Sequence, residues 1–360
     1  MTLVAAVQIQ QSIFLIGDIA ISGPKDYAAE VVMPTIGDAS KIEQHEGRLV
    51  TLVQKLVLVN PKLAFGWSGK AMHALALIEQ LRAKGDASSV SADDLDVAWS
   101  SLGDDAHNEL NIVGFSLGTA GVSMYRRGRQ TGDGRGTDYR AFAAGSGVPQ
   151  FAQLLHDLVG RLPRVSPGAA SVYCALTLSG SLLADEMKTS QSLKLGYGGA
   201  YEIICLVDGA LTKLSNVLFF WWELQPGLAL SLKRVTWLGY RGADLVLRTL
   251  PLGALQQDDG VAVPDVNGVF VIRSLDRHSG EHGQLEVPGF EGDTVVTICR
   301  VVSTTGALYH SRVDYQPHLP PTCVIPQPGG AEIRSGLDLV GAVRDDVERM
   351  LREAGSAELR

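Results

Sequence analysis

The chain has 360 residues, 46% of them hydrophobic and 19% charged, with a formal net charge of -8 at pH 7. This is the make-up of a well-packed globular protein with room for one large domain or two. The acidic balance argues against a general nucleic-acid binder, which needs a basic footprint.

The first eighteen residues run from Thr2 through two apolar, β-prone stretches, Leu3 to Ile9 and Ile13 to Ile16, to Asp18. Gln10-Gln11-Ser12 separates the stretches, and the whole reads as a hairpin. No apolar run reaches the length of a transmembrane helix, about eighteen residues. The N-terminal stretch lacks a basic leader and is interrupted by glutamines, so no signal peptide is expected. A Gly/Pro-bearing excursion covers residues 22–40 and leads to Lys41-Ile42. Residues 48–67 hold strand-like runs interrupted by Asn60-Pro61. Ser68-Gly69 then opens a helix from Lys70 to about Lys84, with Leu75, Ile78 and Leu81 at helical spacing. Ser91 followed by Asp93 and Asp94 starts a second helix with a capping-box pattern.

Strands are expected again at 109–116, 121–128 and 138–146, and the basic stretch at 126–136 reads as a solvated hairpin tip, lacking a phosphate-loop pattern. Helices follow at 149–161 and 168–187, then β-branched and aromatic strands at 199–209 and 216–224. The order is strands, two helices, strands, two helices, strands, without alternating βαβ units. It predicts an α+β domain whose antiparallel sandwich lies between helical layers. From about 226 the texture becomes strand-rich, with turn signals at 257–260 and Asn267-Gly268. A Pro-rich segment, His318 to Gly330, reads as a linker or strap before an amphipathic helix at 336–353. The expected division is 1–225, 226–320 and 321–360.

Cys174, Cys205, Cys299 and Cys323 lie far apart with no Cys-x-x-Cys pair and read as reduced, mostly core thiols of a cytoplasmic protein. His278 and His282 are four apart, but Gly280 and Gly283 argue against a helix there, so no metal site and no cofactor are expected.

Chemistry concentrates at Thr2. A short side chain at position two favours trimming of Met1, and a free N-terminal threonine carries its own base, since an α-amine has a pKa of about 8 and can take the hydroxyl proton. Thr2, Asp18 sixteen residues on, Lys41-Ile42, the turn Gly66-Trp67-Ser68-Gly69 before a helix, and Gly145-Ser146-Gly147 entering another helix stand in the order seen in one family. Over residues 2 to about 224 the chain resembles proteasome-type N-terminal-nucleophile (Ntn) hydrolases, including proteasome β subunits and the bacterial heat-shock ring protease. The resemblance implies a four-layer αββα antiparallel sandwich, here with a C-terminal β-rich extension. It implies a threonine-type amide hydrolase (peptidase) with Thr2 as nucleophile, Lys41 as the cation beside it, Asp18 balancing that charge, the Gly69 N–H as oxyanion donor and Ser146 relaying the amine's proton. Ser22 is expected where an extended substrate pairs with the backbone, and Trp67 at the first specificity pocket. A homo-oligomer, ring or stacked, is implied; the extension offers a surface for a partner protein, with no nucleic acid and no membrane. One feature of the family has no counterpart: the carboxylate and hydroxyl that precede a Gly-Gly are replaced before Gly198-Gly199 by Lys194, Leu195, Gly196 and Tyr197. That departure keeps two alternatives in view, an inactive Ntn-fold scaffold or binding protein and a small-molecule amidase or acylase.

Overall fold

The computed structural model describes residues 2–24, 26, 31–39, 42, 47–159, 167–225, 229–253, 255–256, 262–263, 267–275, 289–303, 306–315, 319–328 and 330–353. Lys41, the His278/His282 pair and the turn at 257–260 lie outside the described residues.

The N-terminal hairpin forms as expected. β1 (Val4–Ile9) pairs with β2 (Ser12–Asp18), Ile9 opposite Ser12, and Gln10 takes the positive φ of 53° suited to a two-residue turn. Both strands are apolar on both faces because both faces are covered: Ala5 and Val7 join one core cluster, Val4 and Ala6 another. β3 (Ala20–Gly23) leads into the excursion, which holds the short pair β4 (Val32–Met33) and β5 (Gly37–Asp38). β6 (Arg48–Leu52) returns to pair with β3.

β7 (Leu56–Asn60) and β8 (Leu63–Gly69) precede α1 (Ala71–Arg82), α2 (Ala92–Ser101) and α3 (Asp104–Glu109). The face of α1 turned to the core carries Ala74, Leu77, Ile78 and Leu81, so Leu77 takes the place expected of Leu75. α2 has the predicted capping box: Ser91 Oγ accepts from the Asp94 N–H while the Asp94 carboxylate accepts from the Ser91 N–H. β9 (Leu110–Gly118), β10 (Gly121–Arg127), β11 (Thr131–Arg135) and β12 (Tyr139–Ala144) follow. The basic tip at 126–136 is thus partly strand, with β11 on a sheet edge. α4 (Val148–Val159), α5 (Pro167–Thr189) and the short α6 (Gln191–Lys194) lead to β13 (Tyr201–Val207) and β14 (Ala210–Lys213).

These strands make two antiparallel sheets, one of six strands in the order β11-β12-β1-β2-β13-β14 and one of four in the order β10-β9-β8-β7. One apolar cluster, with Val4, Leu15, Ala64, Val113, Phe115 and Ile204, takes residues from both sheets. A second joins β8 and β9 to α1 and α2. A third joins the six-stranded sheet to α4 and α5.

β15 (Val217–Gln225) corrects the expected boundary at 225. It pairs with β16 (Ala229–Arg241) and runs parallel to β22 (Thr294–Ser303), so it sits in the middle of the extension's own sheet. Between these strands come β17 (Asp244–Pro251), the small pair β18 (Leu255–Gln256) and β19 (Ala262–Val263), β20 (Gly268–Ile272) and β21 (Phe290–Gly292). With β23 (Gly306–Tyr315) the C-terminal sheet reads β20-β17-β16-β15-β22-β23. Periodicity along β15 could not show this, because its partner β22 lies far downstream, Val217 pairing with Thr294. Phe219 and Trp221 of β15 enter the cluster that holds α5, so α5 has a sheet on each side.

The Pro-rich strap is also partly strand. β24 (Thr322–Gln327) pairs with β21 and β25 (Gly330–Arg334). β21 reaches only Thr322 to Val324, so Pro326, which has no N–H to donate, lies past its end. α7 (Leu339–Glu353) buries Leu339, Val343, Val347 and Leu351, every fourth residue, against the C-terminal sheet.

Candidate active site

Asp18 ends β2 and is fully buried. Its Oδ1 accepts from Thr2 Oγ1 at 2.6 Å, from the Leu3 N–H at 2.7 Å and from Lys55 Nζ at 2.7 Å. Its Oδ2 accepts from the Ala20 and Gly198 N–H groups, each at 3.1 Å. A buried carboxylate with five donors, one of them an ammonium, is a satisfied anion. The hydroxyl of Thr2 and the ammonium of Lys55 meet on the same oxygen and are therefore near neighbours.

Lys55, not the expected Lys41, is the lysine brought to Asp18 among the described residues. It is fully buried, and its ammonium also donates to the Ala20 carbonyl. Burial pushes its pKa below the ordinary lysine value, opposed by the charges of Asp18 and Glu202. The sequence does hold a signal for it. Gln54-Lys55 interrupts the apolar residues between β6 and β7, and a lysine buried there must find an anion.

Ser146 lies where α4 begins. Its Oγ accepts from the Thr2 N–H at 3.3 Å and donates to the Leu195 carbonyl at 2.8 Å. Gly145, at φ 108°, lets the chain press on Thr2, since a Cβ there would stand 2.0 Å from the Thr2 carbonyl oxygen. Thr2, Asp18 and Ser146 thus come together as the sequence pattern implied.

Two other expected residues, Gly69 and Trp67, belong to β8. Gly69 ends β8 on the exposed side of the α1 start, with its neighbour Lys70 donating its backbone N–H to the Glu109 carbonyl at 3.1 Å. Trp67 is 1% exposed and packs in the cluster under α1 with Phe65, Leu77 and Leu110. Odd-numbered residues of β8 face that helix, which makes Trp67 a core residue and corrects its assignment to a specificity pocket. Ser22 is half-buried on β3, its Oγ donating to the Gly196 carbonyl at 3.3 Å.

A carboxylate and a hydroxyl do stand beside Gly198-Gly199, in Glu186 of α5 and Ser192 of α6. Glu186 is fully buried; it accepts from the Gly199 N–H at 2.9 Å, from Ser192 Oγ at 3.0 Å and from Thr35 Oγ1. Burial pushes its pKa up to about 7, against the pull of those hydrogen bonds. Gly198 has φ 119°, and a Cβ there would lie 1.9 Å from Glu186 Oε2. The pair was missed because the two residues lie on successive helices, α5 and α6, further from the Gly-Gly than a compact motif allows.

Cys174, Cys205 and Cys299 are buried free thiols, and Cys323 is half-buried. Among the described residues, no three His, Cys, Asp or Glu side chains are grouped to hold a metal ion, and no helix is long and apolar enough to cross a membrane. No family model matches the chain, and no curated protein matches its sequence.

Proposed function

We propose that the protein is a threonine-type amide hydrolase of Ntn-hydrolase architecture. In this reading the two facing sheets and the helices outside each are the αββα sandwich, and the third sheet is an addition to it. The observation that carries the reading is the convergence of the Thr2 hydroxyl and the Lys55 ammonium on one oxygen of buried Asp18. Removal of whatever precedes Thr2 frees its α-amine beside Ser146. The amine takes the hydroxyl proton, Thr2 Oγ1 attacks the amide carbonyl, and the protonated amine returns the proton to the leaving nitrogen. Water then hydrolyses the resulting ester on Thr2. Lys55 as a cation favours the neutral amine and the forming oxyanion, and Asp18 holds Lys55 in place. An extended peptide would lie along β3 at Ser22.

Assembly as a homo-oligomer belongs to the same proposal. α5 is covered by β22 and β23, so the helical layer available for self-contact is that of α1 and α2, where Met72 and Val97 are 68% and 60% exposed. A second reading, a hydrolase of small amides, is supported by the 3% exposure of Thr2, which suits a compact substrate.

Intact mass of the purified protein tests the proposal, with Thr2 expected as the first residue and Thr2→Ala expected to abolish labelling by a threonine-directed electrophile. Labelling that persists in Thr2→Ala overturns it. Hydrolysis rates for a peptide series against single acyl amides separate the two substrate readings.

A further inference from the structure

Gln54 precedes Lys55 and is 2% exposed. Its Nε2 donates to the Ala243 carbonyl at 2.7 Å and to the Ile272 carbonyl at 2.8 Å, and its Oε1 accepts from Lys213 Nζ at 2.6 Å. Its backbone N–H donates to the Arg273 carbonyl at 3.0 Å. Both side-chain donors and the acceptor are engaged, so the amide has one orientation and one place. Ala243 lies in the turn between β16 and β17, and Ile272 ends β20; both belong to the C-terminal sheet.

A second route runs through Glu202 of β13, which is fully buried. Its Oε2 accepts from the Lys55 N–H at 2.6 Å and the Leu56 N–H at 3.1 Å. Its Oε1 accepts from Lys213 Nζ at 3.3 Å and from the hydroxyl of Tyr240, on β16, at 3.0 Å. The Lys213 ammonium stands 4.6 Å over the Tyr240 ring. Two hydrogen-bonded paths, one through Gln54 and one through Tyr240 and Glu202 and cross-linked by Lys213, therefore connect the C-terminal sheet to the backbone and side chain flanking Lys55.

We propose that the C-terminal sheet is a positioning element for Lys55, with Gln54 and Tyr240 as the residues through which it acts. The inference rests on the functional reading of Lys55. Its physical logic is that a buried ammonium is held at Asp18 by the register of the segment that carries it. β7 begins only at Leu56, so Gln54 and Lys55 lie ahead of its ladder; the Lys55 carbonyl accepts from the Trp67 N–H of β8 at 3.1 Å, while the backbone N–H groups of Gln54 and Lys55 are held by the Arg273 carbonyl and by Glu202. The charged groups facing Lys55 are Asp18 on β2 and Glu202 on β13, with Lys213 on β14 and the Tyr240 hydroxyl on β16 bearing on Glu202. Loosening either path admits water to Lys55, raising its pKa towards the ordinary lysine value and moving it from Thr2.

The test compares full-length wild type with Tyr240→Phe and Gln54→Leu. Tyr240→Phe keeps the ring packing, so it reports on the hydrogen bond alone. Labelling of Thr2 is expected to slow by roughly tenfold to a hundredfold in Gln54→Leu, and less in Tyr240→Phe, with the melting temperature of the latter lowered by only about a few degrees. The alkaline limb of the labelling profile is expected to move up by about one pH unit. If wild type is not labelled at Thr2, the functional reading fails, and the brace is still measured by NMR titration of isotope-labelled lysine, with Lys55→Met assigning the signal. A Lys55 titration and a labelling profile that are the same in wild type, Tyr240→Phe and Gln54→Leu overturn the inference.

Discussion

Asp18 and Glu186 hold adjacent amides of one turn, Gly198 N–H and Gly199 N–H, and both are fully buried. Asp18 has the Lys55 ammonium on the oxygen that also receives the Thr2 hydroxyl. Glu186 is held by hydroxyls and an amide, and burial raises its pKa to about 7. Asp18 thus has a cation at contact distance, while its neighbour has only uncharged donors around it and burial raises its pKa. The contrast shows what a buried carboxylate needs: several hydrogen bonds satisfy its lone pairs, but a counter-ion at contact distance fixes its charge.

The largest effect is expected from Lys55→Met, which leaves Asp18 as a buried anion without its cation. Denaturant unfolding should show a loss of roughly 3–5 kcal/mol, typical of removing one partner of a buried pair. A loss below about 1 kcal/mol would mean that the Thr2 hydroxyl and the backbone donors suffice to hold Asp18, and the contrast with Glu186 would fall. Gly198→Ala comes next, because a side chain at that positive φ meets Glu186 as well as backbone strain. A loss of roughly 2 kcal/mol or more is expected by the same measurement.

Glu186→Gln should act in the opposite direction above neutral pH. A carboxyl whose pKa is raised on folding weakens the native state as pH climbs from the unfolded value, about 4.3, through the folded value, and no further above it. Wild-type stability should therefore decline by on the order of 3–4 kcal/mol between pH 4 and 8 through this group, and the variant should lack that part of the slope. Melts across that range decide it. The smallest effect belongs to Ser146→Ala, which removes one hydrogen bond to the Thr2 nitrogen and one to Leu195: about 1 kcal/mol of stability, with labelling of Thr2 slowed by roughly tenfold to a hundredfold. A labelling rate equal to wild type would leave Ser146 only its cap-like structural part.

The elements that local pattern sets were legible. The hairpin from Val4 to Asp18, the Ser91 capping box and α7 follow from periodicity and capping chemistry, which act within a few residues. Three of the candidate site residues, Thr2, Asp18 and Ser146, were legible through the resemblance, whose ordered motifs carry them, although Thr2 and Ser146 lie 144 residues apart. Lys55, Glu186 and Ser192 were not, since each draws its meaning from burial against distant chain. Lys55 is one polar residue in an apolar run until Asp18 is known to face it. Trp67 misled for the same reason, its side of β8 being fixed by α1 rather than by its neighbours.

What the sequence by itself determined is the alternation of strands and helices, the mixed α+β character and a threonine placed sixteen residues before an aspartate. Only tertiary structure decided which lysine meets that aspartate, that β15 belongs with the C-terminal strands, and that the third sheet braces the segment carrying Lys55. The physical reason is range. Backbone preference and side-chain periodicity operate over one or two turns, whereas a buried charge is settled by whichever distant group closes on it when water is expelled.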